Sequence, residues 1–343
     1  MLSGSISCSL YKKKSNAFLF TVSKEVSITN TDIAETDPEV CRLFYNKGLC
    51  ANPSYITKDE AKKIKNEDIH DGSYTIFRDN AEIKSFNGFK YFTGINNTDY
   101  LPNYVFYNCR SLTSIKLPSS LTQLGSCFFM DCPALESVEI PNSITTIQNS
   151  VFVRCSSLKS IEIPDSVVSI GGSVFSGCTS LQSVKLPSSI SSMGSQMFRD
   201  CTSLLSLRFP SGPTTLLESF FYGCSSLVSV ELPETITTIE RDCFRGCASL
   251  TSIEIPSKVT TLGNRCFLGC LALSTITALP LTAPSTGEEC FGNTYVDYTG
   301  RNTYNLKINK LYVPSNATGY NAGLWGNPLC NSACCGFTLS KTL

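Results

Sequence analysis

The sequence predicts an α/β repeat protein: a curved solenoid with a parallel β-sheet on one face, a small region of helix and strand before it and a cap after it. Three observations predict this. A cysteine recurs at Cys109, Cys132, Cys155, Cys178, Cys201, Cys224, Cys247 and Cys270, each 23 residues beyond the last. Its neighbours are fixed, with Phe three residues before (Phe106 to Phe267) and Leu three residues after (Leu112 to Leu273). Six residues after each cysteine stands Ile, Val or Leu, and nine after stands proline, except in the last copy, where Pro280 falls one residue late. A fixed period in the twenties marks stacked coils, each too small to bury its apolar side alone.

Spacing within a coil sets its geometry. In "SLKSIEIP", Leu158, Ile161 and Ile163 end in a period of two, which predicts a short strand from Ser160 to Ile163. Ile161 and Ile163 then face the core, and Ser160 and Glu162 face solvent. Pro164 has no N–H to extend a ladder and ends the strand. Val167, Ile170 and Phe175 turn inward as the chain returns through a turn or short helical segment. Equivalent strands stack at ~4.8 Å, so eight coils span on the order of 40 Å.

This block, about residues 100 to 280, resembles the BspA-like leucine-rich repeat family, whose coils read Phe-x-x-Cys-x-x-Leu-x-x-Ile-x-Ile-Pro. The resemblance implies a horseshoe-like leucine-rich-repeat solenoid used for adhesion and recognition at the surfaces of gut bacteria, of some protists and in some phage-borne proteins. Two departures stand out. Pro213 occupies an inward aliphatic slot in "RFPSGPTTL", which predicts a local distortion, and the last coil drifts out of register after Ala278.

The flanks divide the rest. Residues 1–36 alternate polar and apolar in "NAFLFTVSKEVSIT" and read as a strand-rich, possible anchoring segment. Residues 37–80 read as two short helices. Pro38 at N1 after Asp37 opens the first, which runs through Tyr45, and a Thr57/Glu60 capping box opens "KDEAKKI". This pair resembles a degenerate EF-hand-like module, because "NEDIHDG" lacks the ligand spacing of a calcium loop. Residues 81–280 form the solenoid, opened by a diverged coil with Ile83, Phe86, Phe89 and Phe92 inward. Residues 281–343 form the C-terminal cap, with a last strand at Leu311 and Val313 before Pro314, and Tyr320 and Trp325 laid across the end.

Composition narrows the function. Lys plus Arg balances Asp plus Glu at 28 each, so no basic field gathers nucleic acid. No apolar run reaches the ~18 residues that span a bilayer, so membrane insertion is not expected. The first residues make a poor signal peptide, and Cys8 has no apolar stretch leading into it. Eight of the 18 cysteines occupy one inward slot, where neighbouring Cβ atoms ~5 Å apart exceed the ~3.8 Å of a disulfide, so buried free thiols are expected. Cys127, Cys243 and Cys266, in the returning segment, are read alike. Cys330, Cys334 and Cys335 lack a fourth zinc ligand. With a single histidine, His70, in a polar stretch, and no nucleophile elbow or phosphate loop, no enzyme, cofactor or metal is expected. The sequons at Asn96 and Asn316 stand at chance level.

Function is sought on the outward strand rows. One is serine from Ser114 to Ser252; the next is Lys116, Glu139, Glu162, Lys185, Arg208, Glu231 and Glu254. Opposite charges on adjacent strands help by ~0.2–1 kcal/mol, so the row can be a self-compensating solvated surface. The functional alternative is a flat polar strip for a protein or glycan on a host or mucosal surface. Its candidate residues are Ser160, Glu162, Ser183, Lys185, Ser206, Arg208, Ser229 and Glu231, with Leu205 and Val228 beside it as apolar anchors or edge packing. The expected role is non-enzymatic recognition or adhesion at a cell surface or on a phage virion, with the N-terminal segment docking virion structural proteins. The alternative is a cytoplasmic interaction scaffold.

Overall fold

The computed structural model describes residues 33–34, 37–71, 74–96, 103–291, 294–296, 302–304, 310–320 and 338–340. The expected strands before residue 30, Cys8, the His70 side chain, Thr98 of the first sequon, Trp325 and the Cys330, Cys334 and Cys335 group lie outside the described residues.

Each coil contributes one strand to the main sheet face: β1 (Ser114–Lys116), β2 (Ser137–Glu139), β3 (Ser160–Glu162), β4 (Ser183–Lys185), β5 (Ser206–Arg208), β6 (Ser229–Glu231), β7 (Ser252–Ile255) and β8 (Thr275–Ala278). All face pairings among them are parallel, with Ser160 opposite Ser183 and Glu162 opposite Lys185, a register of one 23-residue period. Ile161 and Ile163 are buried while Ser160 and Glu162 are exposed, as period-two patterning requires.

The first coil returns through a short 3-10 helix, Asn87–Tyr91, but from β1 onward the described returning limbs hold no helix. There the limb is a second parallel ladder of two-residue strands, Gln123–Leu124, Thr146–Ile147, Ser169–Ile170 and Ser192–Met193, then Thr215–Leu216, Thr238–Ile239, Thr261–Leu262 and Ser285–Thr286. A tight turn closes each coil. Both the residue before the repeat cysteine and the residue two before the phenylalanine take left-handed backbone, as at Asn108, Asp131, Asp200 and Gly246, and at Ser150, Ser173 and Ser219. Asn, Asp and Gly tolerate that region best, which accounts for "YNC", "MDC", "RDC" and "RGC".

The turns carry the tightest inter-coil bonding. The Phe152 N–H donates to the Val174 carbonyl at 2.9 Å, and Phe175 repeats this to Met197 at 3.0 Å. The Phe152 carbonyl accepts twice, from the N–H of Cys155 at 3.1 Å and from the thiol of Cys178 in the next coil at 3.0 Å. Every repeat thiol donates in this way to the phenylalanine carbonyl one coil earlier, from Cys132 to Phe106 through Cys270 to Phe244. The expected inward sulfur row is present, and each of these sulfurs donates to a backbone carbonyl.

The phenylalanine rings form a continuous stack. Phe77, Phe106, Phe129, Phe152, Phe175, Phe198, Phe221, Phe244, Phe267 and Phe291 follow one another at centroid separations of 5.0 to 5.7 Å and interplanar angles of 21° or less. Phe77 opens it because "FRDNAEIKSF" is already a coil, with Asn80 in the cysteine slot, Ile83 in the leucine slot and Phe86 in the strand slot. The Cys109 thiol accordingly donates to the Phe77 carbonyl at 3.0 Å, and Ser85–Phe86 pairs in parallel with β1.

The N-terminal helices cover this end. Helix α1 (Pro38–Asn46) is capped by the Asp37 side chain, which accepts from the Glu39 N–H and, through its other oxygen, from the Lys84 N–H. Helix α2 (Lys58–Lys63) starts with the expected Thr57/Glu60 capping box. Phe44 of α1 lies 5.4 Å from Phe92 and 5.8 Å from Phe77, so the helices and the first coil share one core. At the other end Leu311 and Val313 are buried and the Tyr320 hydroxyl donates to the Pro280 carbonyl at 2.8 Å. The strand there, Lys310–Tyr312, is not the last: Thr338–Ser340 of the tail adds beyond it in parallel, using the free edge that the expected end strand left open.

The distortion expected at Pro213 is real. Pro213 fills the slot of Val167, Ile190 and Ile236 but has no N–H for the turn bond that Val167 makes to the Pro164 carbonyl and Ile236 to the Pro233 carbonyl. The backbone at Gly212 presses so close to Ile190 that a Cβ would lie 1.9 Å from its carbonyl oxygen. The second ladder is interrupted there, between Ser192–Met193 and Thr215–Leu216.

Two measurements test this core. Phe175→Ala, removing a fully buried ring stacked on both sides, costs about 3–5 kcal/mol, read from the urea denaturation midpoint. Burial pushes the Cys178 thiol from the usual 9.0 to about 12 and raises the thiols of Cys155, Cys201 and Cys247 likewise. These thiols stay protonated when folded but ionise when unfolded, so stability holds below about pH 9 and falls as pH rises toward about 12. A flat stability profile across that window would contradict the buried thiol row.

Candidate functional site

All eight candidate strip residues are exposed and lie on one face: Ser160, Ser183, Ser206 and Ser229 in one row, and Glu162, Lys185, Arg208 and Glu231 in the next. The strands bring them together because each turns its middle residue (Ile161, Val184, Leu207 or Val230) inward at the same register, which leaves the flanking serine and charged residue outward. A third exposed column precedes the strands: Glu136, Lys159, Gln182, Leu205, Val228 and Thr251. Leu205 and Val228 are 52% and 47% exposed, so they are surface side chains rather than packed edge. They are neighbours, with the Val228 N–H donating to the Leu205 carbonyl at 2.9 Å.

The charged row is organised in pairs. Lys116 bonds Glu139 at 2.9 Å, Lys185 bonds Glu162, and Arg208 approaches Glu231 at 3.7 Å. The Glu162 carboxylate, by hydrogen bond and charge, holds the Lys185 ammonium above its ordinary pKa. Between these pairs lie like-charge steps: Glu139 beside Glu162, Lys185 beside Arg208, and Glu231 beside Glu254. The hydrogen-bonded ladder follows the same alternation. It joins β1 to β2, β3 to β4 and β5 to β6, and is interrupted from β2 to β3, β4 to β5 and β6 to β7. Like charges directly opposite on adjacent strands repel, and opposite ones attract, so charge and ladder reinforce one another.

Two further features accompany the strip. At its N-terminal end a depression of about 590 Å³ opens over the β2/β3 step, lined by Lys116, Glu139, Asn142, Glu162 and Asp165. On the returning limb, hydroxyls line a second flat face: Thr145, Ser191, Thr237 and Thr260 each donate to the carbonyl one coil back at 3.0 to 3.3 Å. This row escaped the sequence reading because its Ser and Thr pairs look like turn residues until the second ladder places them. Among the described residues no group of His, Cys, Asp and Glu is arranged to hold a metal ion, and no helix is long and apolar enough to cross a membrane.

Comparison with known proteins agrees with this geometry. The family described as the BspA type leucine rich repeat region (6 copies) matches residues 77–205 and 191–313. Among solved structures, a leucine-rich repeat protein from Bacteroides ovatus is 26% identical with a TM-score of 0.51, covering 76% of this chain and 70% of that one. A Treponema pallidum leucine-rich repeat protein is 39% identical over 44% of this chain and 73% of its own, with a TM-score of 0.42. A leucine rich cell surface protein from Faecalibacterium prausnitzii is 20% identical, covering 76% and 84%, with a TM-score of 0.34. No curated protein matches the chain. With its repeats in register from Phe77, its rings and thiols stacked coil on coil and more than half of its length matched, the chain belongs to the BspA-type leucine-rich repeat family.

Proposed function

We propose that the protein is a non-enzymatic recognition module that uses the β3–β6 face to hold a protein or glycan displayed on a host or mucosal surface. One observation carries this reading. Four adjacent coils present short serines flanked by exposed charges and two exposed aliphatics, on strands whose inward residues pack on the core. Short side chains keep the face flat and accessible, and a rigid array limits the entropy lost when a partner docks. Exposed ion pairs such as Lys185–Glu162 add little to folding, so the charges are free to be spent on a ligand.

Display at a cell or particle surface is part of the proposal, and the thiols do not oppose it. Burial raises their pKa and withholds the thiolate that oxidants attack, so the coil stack tolerates an oxidising or a reducing compartment alike.

Two experiments test the proposal. Ser160→Trp together with Ser229→Trp, large side chains on exposed strand positions, should leave the melting temperature unchanged and weaken binding to mucosal extract or immobilised host glycoprotein at least about tenfold. Undiminished binding would remove the sheet face from the role. Protease shaving of intact source cells, with proteomics of purified particles, should release peptides from residues 103–291; recovery from the soluble cytosol alone would end the display reading and leave the scaffold alternative.

A further inference from the structure

The joint between β4 and β5 differs from every other described joint. It is the one place where both ladders stop: β4 and β5 are unpaired on the main face, and Ser192–Met193 and Thr215–Leu216 are unpaired on the returning limb. The turn side continues, through the bonds from Gln196, Phe198 and Asp200 to the carbonyls of Glu218, Phe220 and Tyr222, and on the strand side one long bond remains, from the Leu205 N–H to the Gln182 carbonyl at 3.4 Å. The same joint carries the sole like-charge step of positive sign in the strip, Lys185 beside Arg208. Beside these cations stand Leu205 and Val228, the two exposed aliphatics of a column otherwise made of Glu136, Lys159, Gln182 and Thr251.

Resting on the reading of this face as a binding surface, we propose that the β4/β5 joint is a subsite for an acidic peptide segment with an aliphatic residue near its carboxylates. Charge complementarity selects the acid. Lys185 and Arg208 extend from neighbouring strands ~4.8 Å apart, so one carboxylate can lie between them. Each cation already has an exposed carboxylate partner, Glu162 or Glu231, and pairs this exposed exchange readily with an incoming carboxylate. The aliphatic pair selects a peptide over an anionic polysaccharide. Leu205 stands three residues before Arg208, ~10 Å along an extended chain, so a peptide placing an acid and an aliphatic side chain about three residues apart covers both. A sulfated sugar has no side chain to cover Leu205 and Val228. From β1 to β8 the three outward columns contain no aromatic ring on which a sugar could stack; the charged column reaches one, Tyr312, only beyond β8 and away from the joint.

The test uses the full-length chain and a labelled synthetic peptide alternating glutamate with leucine and valine, measured by fluorescence polarisation at low and physiological salt. The wild type should bind it more weakly as salt rises, because the contacts are exposed and screened. Lys185→Glu with Arg208→Glu should weaken binding at least about tenfold, and Leu205→Ser with Val228→Ser about threefold or more, with melting temperatures unchanged. Oligoglutamate and dextran sulfate should bind less tightly than the peptide and be indifferent to the Leu205→Ser and Val228→Ser changes. Absence of binding to the wild type, or equal binding of dextran sulfate or of a counterpart peptide with lysine in place of each glutamate, would overturn the subsite. A host partner lost on Ser160→Trp with Ser229→Trp but indifferent to both joint variants would likewise overturn the subsite and leave the sheet face standing.

Discussion

The structure depends on one backbone oxygen per coil. From Phe77 to Phe244, the phenylalanine carbonyl of each turn accepts an N–H from its own coil and a thiol from the next, so both of its lone pairs are used inside a space that water does not enter. A buried carbonyl left short of partners costs ~1–3 kcal/mol, and cysteine meets the need with a donor small enough to sit beneath a phenylalanine ring. Serine would offer a stronger donor but a more polar group, and alanine none. The ring above fixes the lateral position of the next coil, since parallel stacks near 5.5 Å leave no room for a register shift. Aromatic ring and thiol together therefore set the vertical spacing and the lateral register of the whole stack.

Much of this was legible in the sequence because the period is rigid. Eight aligned cysteines named the coil, period two in "SIEI" named the strand, and Pro213 announced the place where the stack is faulted. What escaped shares a physical cause. The second ladder uses strands of two residues, too short to show any alternation, so Ser169–Ile170 and its equivalents read as turn. The diverged first coil was legible from Ile83, Phe86, Phe89 and Phe92, but its opening at Phe77 escaped because Asn80 replaces its cysteine. The tail strand Thr338–Ser340 belongs to no repeat, and its pairing partner lies in another part of the chain. The candidate strip was readable residue by residue, since outward positions follow from the strand register. Its pairing into attractive and repulsive steps was readable too, but the matching interruption of the ladder required coordinates.

The face joins two demands that most sheets separate. Ion pairs between successive coils knit β1 to β2, β3 to β4 and β5 to β6, and the like-charge steps between those pairs are where the sheet gives way. A sheet built in doublets has rigid segments with softer boundaries. The turns, which carry the ring stack and the thiol bonds without interruption, hold those boundaries together from the opposite edge.

The turn hydrogen bonds reach from each residue to the one 22 positions further on, as from Phe152 to Val174, and the ladders match residues 23 apart. A gain or loss of one whole copy by misaligned recombination would leave every downstream bond with an equivalent partner. Extra residues within a coil are looped out instead, as between Phe77 and Phe106 and between Phe267 and Phe291, where the spacing exceeds 23 and the rings still stack. The reach of the molecule can thus be retuned genetically in whole copies while its interior chemistry stays the same.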